Sequence, residues 1–93
     1  MSEQAKDILQ MCKGVLAQRG QEYGDAGTLF EQIAKRFSLV LGHDIDNITA
    51  ARLMVELKLA RLDRGYKGDS VVDAINYLAL AGALHGATNE QKE

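Results

Sequence analysis

The stretch Ile48-Thr-Ala-Ala-Arg-Leu-Met-Val-Glu-Leu-Lys-Leu-Ala-Arg-Leu-Asp-Arg64, then Gly65-Tyr66-Lys67-Gly68, then Asp69-Ser-Val-Val-Asp-Ala-Ile-Asn-Tyr-Leu-Ala-Leu-Ala-Gly-Ala-Leu84, decides the architecture. It holds enough proline-free sequence for two helices, divided by a turn with glycine at both ends. At 100° per residue, Thr49, Arg52, Glu56 and Asp63 share one arc of the first helix, which reads as its solvent face. Nearly everything else in that helix is apolar. Lys58 and Arg61 fall inside the apolar arc beside Met54, Leu57 and Leu62, and charges placed there need partners. The following helix takes Asp69 or Ser70 as N-cap and runs to about Gly86. Its first half carries a polar stripe of Asp69, Asp73, Asn76 and Tyr77. From Leu78 to Leu84 it is Leu, Ala and Gly on all sides, the pattern of a central helix. A short loop makes two such helices antiparallel neighbours, so Lys58 and Arg61 come to lie beside the acidic start of the next helix.

Two more helices precede this pair. The first is expected from Glu3 to Gln18, with an apolar stripe of Ile8, Leu9, Cys12, Val15 and Leu16. Arg19-Gly20 reads as its end: a cation near the negative pole of the helix, with glycine just beyond. A polar loop then covers Gly20 to Gly27. The second helix opens at Thr28, with Glu31 at the spacing of a capping box. Its apolar face comprises Leu29, Phe30, Ile33, Ala34, Phe37, Val40 and Leu41, and Gly42 stops it. Asp46 or Asn47 caps the third helix. The fold class is therefore all-α, one four-helix domain over residues 1–93 with an ordered core of about 3–86.

Two helices as apolar as the third and fourth cannot both be covered by two amphipathic neighbours in 93 residues. A second copy of the chain would cover them, so homo-oligomerisation is expected, with Leu78 to Leu84 at or near the contact. A net charge of −2 with scattered basic residues argues against a nucleic-acid groove, which needs many cations on phosphates. There is no apolar run of bilayer length and no charged-then-apolar leader, so no membrane partner is expected. The single cysteine, Cys12, points to a reducing cytoplasm. It sits on the apolar stripe and reads as a core residue. His43 and His85 lie far apart with no metal-ligand spacing, which argues against zinc.

Two constellations stand out. Lys58 and Arg61 facing Asp69, Asp73, Asn76 and Tyr77 form either a register-fixing salt-bridge network or a pocket. In the pocket reading, cations hold phosphate while carboxylates hold a metal or a sugar hydroxyl. The second constellation is Arg19-Gly20-Gln21-Glu22-Tyr23-Gly24-Asp25. Its glycines, arginine, aromatic ring and carboxylate suit closure over a planar ligand, or alternatively a plain helix connection anchored by Tyr23. It is not a phosphate loop, because no Gly-x-x-x-x-Gly-Lys-Ser/Thr run is present.

Taken together, Arg19-Gly-Gln-Glu-Tyr23-Gly24-Asp25, Ile33-Ala34, Leu41-Gly42, Leu57-Lys58-Leu59-Ala60-Arg61 and Asp69-Ser70-x-x-Asp73-x-x-x-Tyr77 resemble a group of small uncharacterised bacteriophage and prophage proteins. The resemblance spans about Val15 to Leu80. It departs at Arg36-Phe37-Ser38, where such proteins often carry tryptophan before the serine. That group is distantly similar to the all-α, MazG-like and dimeric dUTPase-like nucleoside triphosphate pyrophosphohydrolases. The resemblance implies a MazG-like bundle, oligomeric, in a bacterial host cytoplasm. It also implies magnesium on acidic pairs of two adjacent helices, bridging phosphates and helping to activate water. Asp69 and Asp73 stand near the second such pair at a spacing of four rather than three. The first pair is missing: Leu59 follows Glu56 at the third place, and Lys58 and Arg61 stand where carboxylates would.

The expected function is binding of a nucleotide or nucleotide-like phosphate ligand, by a divergent or inactive relative of those hydrolases. Lys58 and Arg61 contact phosphate, Asp69 and Asp73 orient them or hold magnesium, and Tyr23 or Tyr77 stacks on the base. Arg19 and Asp25 complete the ligand-binding set. One alternative is a magnesium-dependent pyrophosphohydrolase with metal at Asp73 and either Asp69 or Glu56. The other is a non-enzymatic phage protein that binds and inhibits a host factor.

Overall fold

The structure is a computed structural model and describes residues 2–89, the side chains of Tyr23 and residues 87–89 excepted. Four helices follow one another: α1 (Glu3–Tyr23), α2 (Ala26–Leu41), α3 (Asn47–Leu62) and α4 (Gly68–Asn89). No strand occurs among the described residues, so the fold is all-α. None of its helices is long and apolar enough to cross a membrane.

α1 is longer than its glycines suggest. It passes through Gly20, and Gln18 donates to Glu22 across the extra turn at 3.3 Å. It stops at Gly24, whose φ of 75° and ψ of −141° lie in a region essentially closed to residues with a Cβ. The expected eight-residue loop is thereby reduced to Gly24-Asp25. Asp25, not Thr28, caps α2: its carboxylate accepts the Thr28 amide at 3.0 Å and the Thr28 hydroxyl at 3.1 Å. Thr28 is then the third helical residue, too late to begin a capping box with Glu31.

Gly42 ends α2 in the left-handed conformation, and Asp46 caps α3 by accepting the Thr49 amide at 2.8 Å. Between them, Ser38 accepts the Ile45 amide at 2.8 Å and donates to the Ala34 carbonyl at 2.7 Å, tying the connection to α2. α4 begins at Gly68, so Asp69 and Ser70 lie inside its first turn, and it passes Gly86 to reach Asn89.

The core is small. Phe30, Ala34, Ala50, Ala51 and Ala81 form its buried centre, with Ile33, Phe37, Met54, Tyr77, Leu80 and Leu84 packed around it. Alanines at the crossing let α3 and α4 approach closely, and theirs is the most extensive helix contact. α2 packs on α3, whereas α1 packs mainly on α4 and barely touches α2. Much apolar surface stays outside. Val40 is 84% exposed and Leu41 and Leu9 are also exposed, contrary to their assigned buried stripes. Leu53, Leu57, Leu59 and Leu78 are exposed as well. The stretch Leu78 to Leu84 is therefore divided: Leu78 faces solvent, while Ala81 belongs to the core.

Candidate functional site

α3 and α4 run antiparallel through the connection 63–67, which sets the last turn but one of α3 against the second turn of α4. There Lys58 Nζ lies 3.2 Å from Asp73 Oδ2. The other oxygen of the same carboxylate, Oδ1, lies 3.3 Å from Arg19 Nη2 on α1. One carboxylate thus bridges two cations from two different helices. The Asp73 and Lys58 side chains are 12% and 15% exposed, whereas Arg19 is 46% exposed at the rim. Both separations exceed the roughly 2.7–2.9 Å of a well-formed charge-assisted hydrogen bond. Donors on both cations are left over, since an ammonium has three and a guanidinium five.

This triad lines an open pocket of about 540 Å³. Leu16 and Gly20 of α1, Leu29 and Phe30 of α2, and Leu80 of α4 supply apolar wall, and Gly24 also lines the pocket. Tyr77 lines it too and meets Phe30 edge-to-face, with ring centroids 6.0 Å apart. Asn76 donates to the Cys12 carbonyl at 3.0 Å, which fastens α4 to α1 behind the charged group. No buried side-chain nitrogen or oxygen among the described residues lacks a partner. The Cys12 thiol is buried over the Val72 carbonyl at 3.9 Å. Burial pushes its pKa above the usual thiol range, and the nearby Asp73 carboxylate adds to the shift. It is protonated at neutral pH and a poor nucleophile.

Of the eight expected ligand residues, Arg19, Lys58, Asp73 and Tyr77 line this pocket. The two constellations separated in sequence meet here, at Asp73. Tyr23 ends α1, and its side chain lies outside the described residues. Arg61 does not join: it is exposed and makes no ion pair among the described residues. Three residues beyond Lys58 the helix has turned about 60° short of a full circle, enough to leave the α4 seam. Asp69 is exposed and accepts the Ser70 amide at 2.9 Å. Asp25 is spent on its cap and borders a second hollow, which also takes in Glu31 and Asn47. The Thr28 amide, with help from its hydroxyl, holds the Asp25 carboxyl below the usual range.

Glu56 is exposed on the solvent arc of α3. Glu56, Asp69 and Asp73 do not gather into a metal-ligating group, and no cluster of three such donors exists among the described residues. The donor set is two cations on one carboxylate, which suits an anion and does not suit magnesium held by the protein. Leu16, Leu29, Phe30 and Leu80 went unassigned in the sequence because an apolar residue at helical spacing reads simply as core. Arg19 did carry a signal. Cys12, Leu16 and Arg19 continue one i, i+4, i+7 face once α1 is allowed to pass Gly20.

The fold and site define a class: an all-α domain with an open, amphipathic, two-cation pocket lined by α1, α2, α3 and α4. Within it, the chain belongs to the family described as Domain of unknown function (DUF6378), which matches residues 7–85. No curated protein and no solved structure gives a match.

Proposed function

We propose that this chain binds a nucleotide or a nucleotide-like phosphate ligand in the pocket around Asp73, as a phage-type helical oligomer with a MazG-like bundle. The observation that carries this reading is the bridged group Arg19–Asp73–Lys58 at the wall of a pocket that also holds an aromatic ring. Two cations share one carboxylate, so the group has charge left over for an anion. Their long contacts leave donors for phosphate oxygens. Tyr77, Phe30 and the leucines offer a flat apolar surface of the kind a base packs on. Direct binding by cations needs no metal, so the ligand is held rather than placed for the magnesium-dependent reaction.

The oligomer is part of the same proposal. A compact monomer of 10.2 kDa exposes about 5,300 Å², whereas this chain exposes 6936 Å². Its radius of gyration of 14.4 Å likewise exceeds the about 12 Å expected for its length. Among the described residues, part of the exposed surface is apolar side chain on α3 and α4 that a second copy would cover. Leu53, Leu57, Leu59 and Leu78 are exposed apolar side chains of α3 and α4 available for it.

The test is thermal unfolding with a panel of nucleotides, with and without magnesium. The expected result is a ligand-dependent rise in Tm that magnesium does not alter, without release of phosphate or pyrophosphate. A rise that requires magnesium, accompanied by turnover, would restore the hydrolase alternative. No rise with any nucleotide would overturn the ligand proposal in favour of a protein-binding role.

A further inference from the structure

We infer that the pocket is matched to a nucleoside monophosphate, or a nucleotide with a single phosphodiester, and discriminates against di- and triphosphates; this rests on the ligand reading above and narrows it. The charge balance at the pocket wall decides the point. Arg19, Lys58 and Asp73 are the charged residues lining it among those described, and together they carry one net positive charge. A phosphodiester carries one negative charge and a phosphate monoester between one and two at neutral pH. Either is close to matched by two cations that already share a carboxylate. A triphosphate brings more negative charge than the two cations can neutralise, and places it beside Asp73. Beside the half-exposed Arg19 the surplus is partly screened by solvent, but next to Lys58 and Asp73, whose side chains are 15% and 12% exposed, it is screened less. Proteins that hold polyphosphate meet this demand with a bound magnesium or a run of backbone amides in a glycine-rich loop. Here the carboxylates do not gather into a metal-ligating group among the described residues, and Gly24-Asp25 is a two-residue link whose carboxylate caps α2. The pocket's volume of about 540 Å³ lies within the range of small-molecule sites.

Asp73 therefore acts as the selective element. It holds both cations in place in the free protein and repels any ligand with surplus negative charge. It touches the ligand's counter-charges rather than the base, so its substitution should change the preference for phosphate number and leave the preference for base unaltered.

The experiment is calorimetric titration of the full chain with the mono-, cyclic mono-, di- and triphosphates of each common nucleoside, without divalent metal, at two salt concentrations. The expected result is tightest binding by the monophosphate or cyclic monophosphate of the preferred base, with the triphosphate at least tenfold weaker. Asp73→Asn should reverse or erase that order. Triphosphate binding as tight as or tighter than monophosphate in the parent protein would overturn this inference while leaving the ligand proposal standing. Absence of binding by all of them would overturn both. The parent titration alone decides these outcomes if Asp73→Asn fails to fold.

Discussion

Arg19 Nη2 and Asp73 Oδ1 lie 3.3 Å apart, joining the last turn but one of α1 to the second turn of α4. Through this contact a residue that reads as a helix terminator becomes part of a pocket wall. α1 continues past Gly20 and ends instead at Gly24, so Arg19 lies inside the helix and not at its end.

Gly24 is accordingly the glycine whose replacement should matter most among those of this connection. Its φ of 75° with ψ of −141° is unfavourable for any side chain, although nothing lies within 4 Å of an added Cβ. Gly24→Ala should therefore lose about 1–3 kcal/mol through backbone strain alone. Gly20→Ala, in the helix interior with equally open space, should gain up to about 1 kcal/mol. Urea denaturation of both variants checks the pair. Equal effects of the same sign would mean that α1 ends at Gly20 after all.

That contrast marks what was legible in the sequence. The seam between α3 and α4 was readable because a four-residue turn leaves only an antiparallel arrangement, and Lys58 then has Asp73 within reach. Arg19 was readable as a ligand-binding candidate but its contact with Asp73 was not, since glycine in a helix costs too little to be told from glycine that ends one. Arg61 was misplaced for a different reason. A helical wheel gives the apolar arc of α3 but not which edge of it α4 covers. Val40 and Leu41 read as core but are exposed, because periodicity shows that a face is apolar and not what covers it.

Acid should loosen the two capped helix starts. Hydrogen bonds from Thr28 to Asp25 and from the Thr49 side chain and amide to Asp46 hold both carboxyls below their ordinary values. A depressed folded-state pKa gives stability that is present above the unfolded value and lost as pH falls through the folded one. Midpoints of urea unfolding should therefore hold steady above about pH 5 and decline below about pH 4. The double variant Asp25→Asn, Asp46→Asn keeps capping oxygens but cannot titrate, so its decline should be shallower. An unchanged acid slope in that variant would place the sensitive groups elsewhere.

The exposed leucines of α3 and α4 make a sharp prediction about assembly. Light scattering at micromolar concentration should report a dimer or larger. Leu57→Lys, on an exposed face of α3, should shift the protein toward monomer and lower its Tm in a concentration-dependent way. A 10.2 kDa species for the parent chain would sink the oligomer proposal.

The last prediction distinguishes a pocket from a scaffold by removing the cations one at a time. Asp73 has two partners, so neither single loss leaves its carboxylate alone. Arg19→Met removes the partner that is 46% exposed, and a solvent-screened pair of that kind contributes under about 1 kcal/mol. Lys58→Met removes the more enclosed partner and should lose about 2 kcal/mol, less than the ~3–5 of an orphaned buried charge because Arg19 remains. The double variant strands the carboxylate, so its loss should exceed the sum of the singles by at least about 1 kcal/mol. Arg61→Met, outside the group, should change neither stability nor ligand response. Each of the first two should abolish ligand-induced stabilisation while the free protein still folds. If both fold but the parent shows no response to any nucleotide, the group is a register-fixing salt bridge. If Arg61→Met abolishes the response instead, Arg61 takes part in the site, through motion of α3 or from a second copy of the chain.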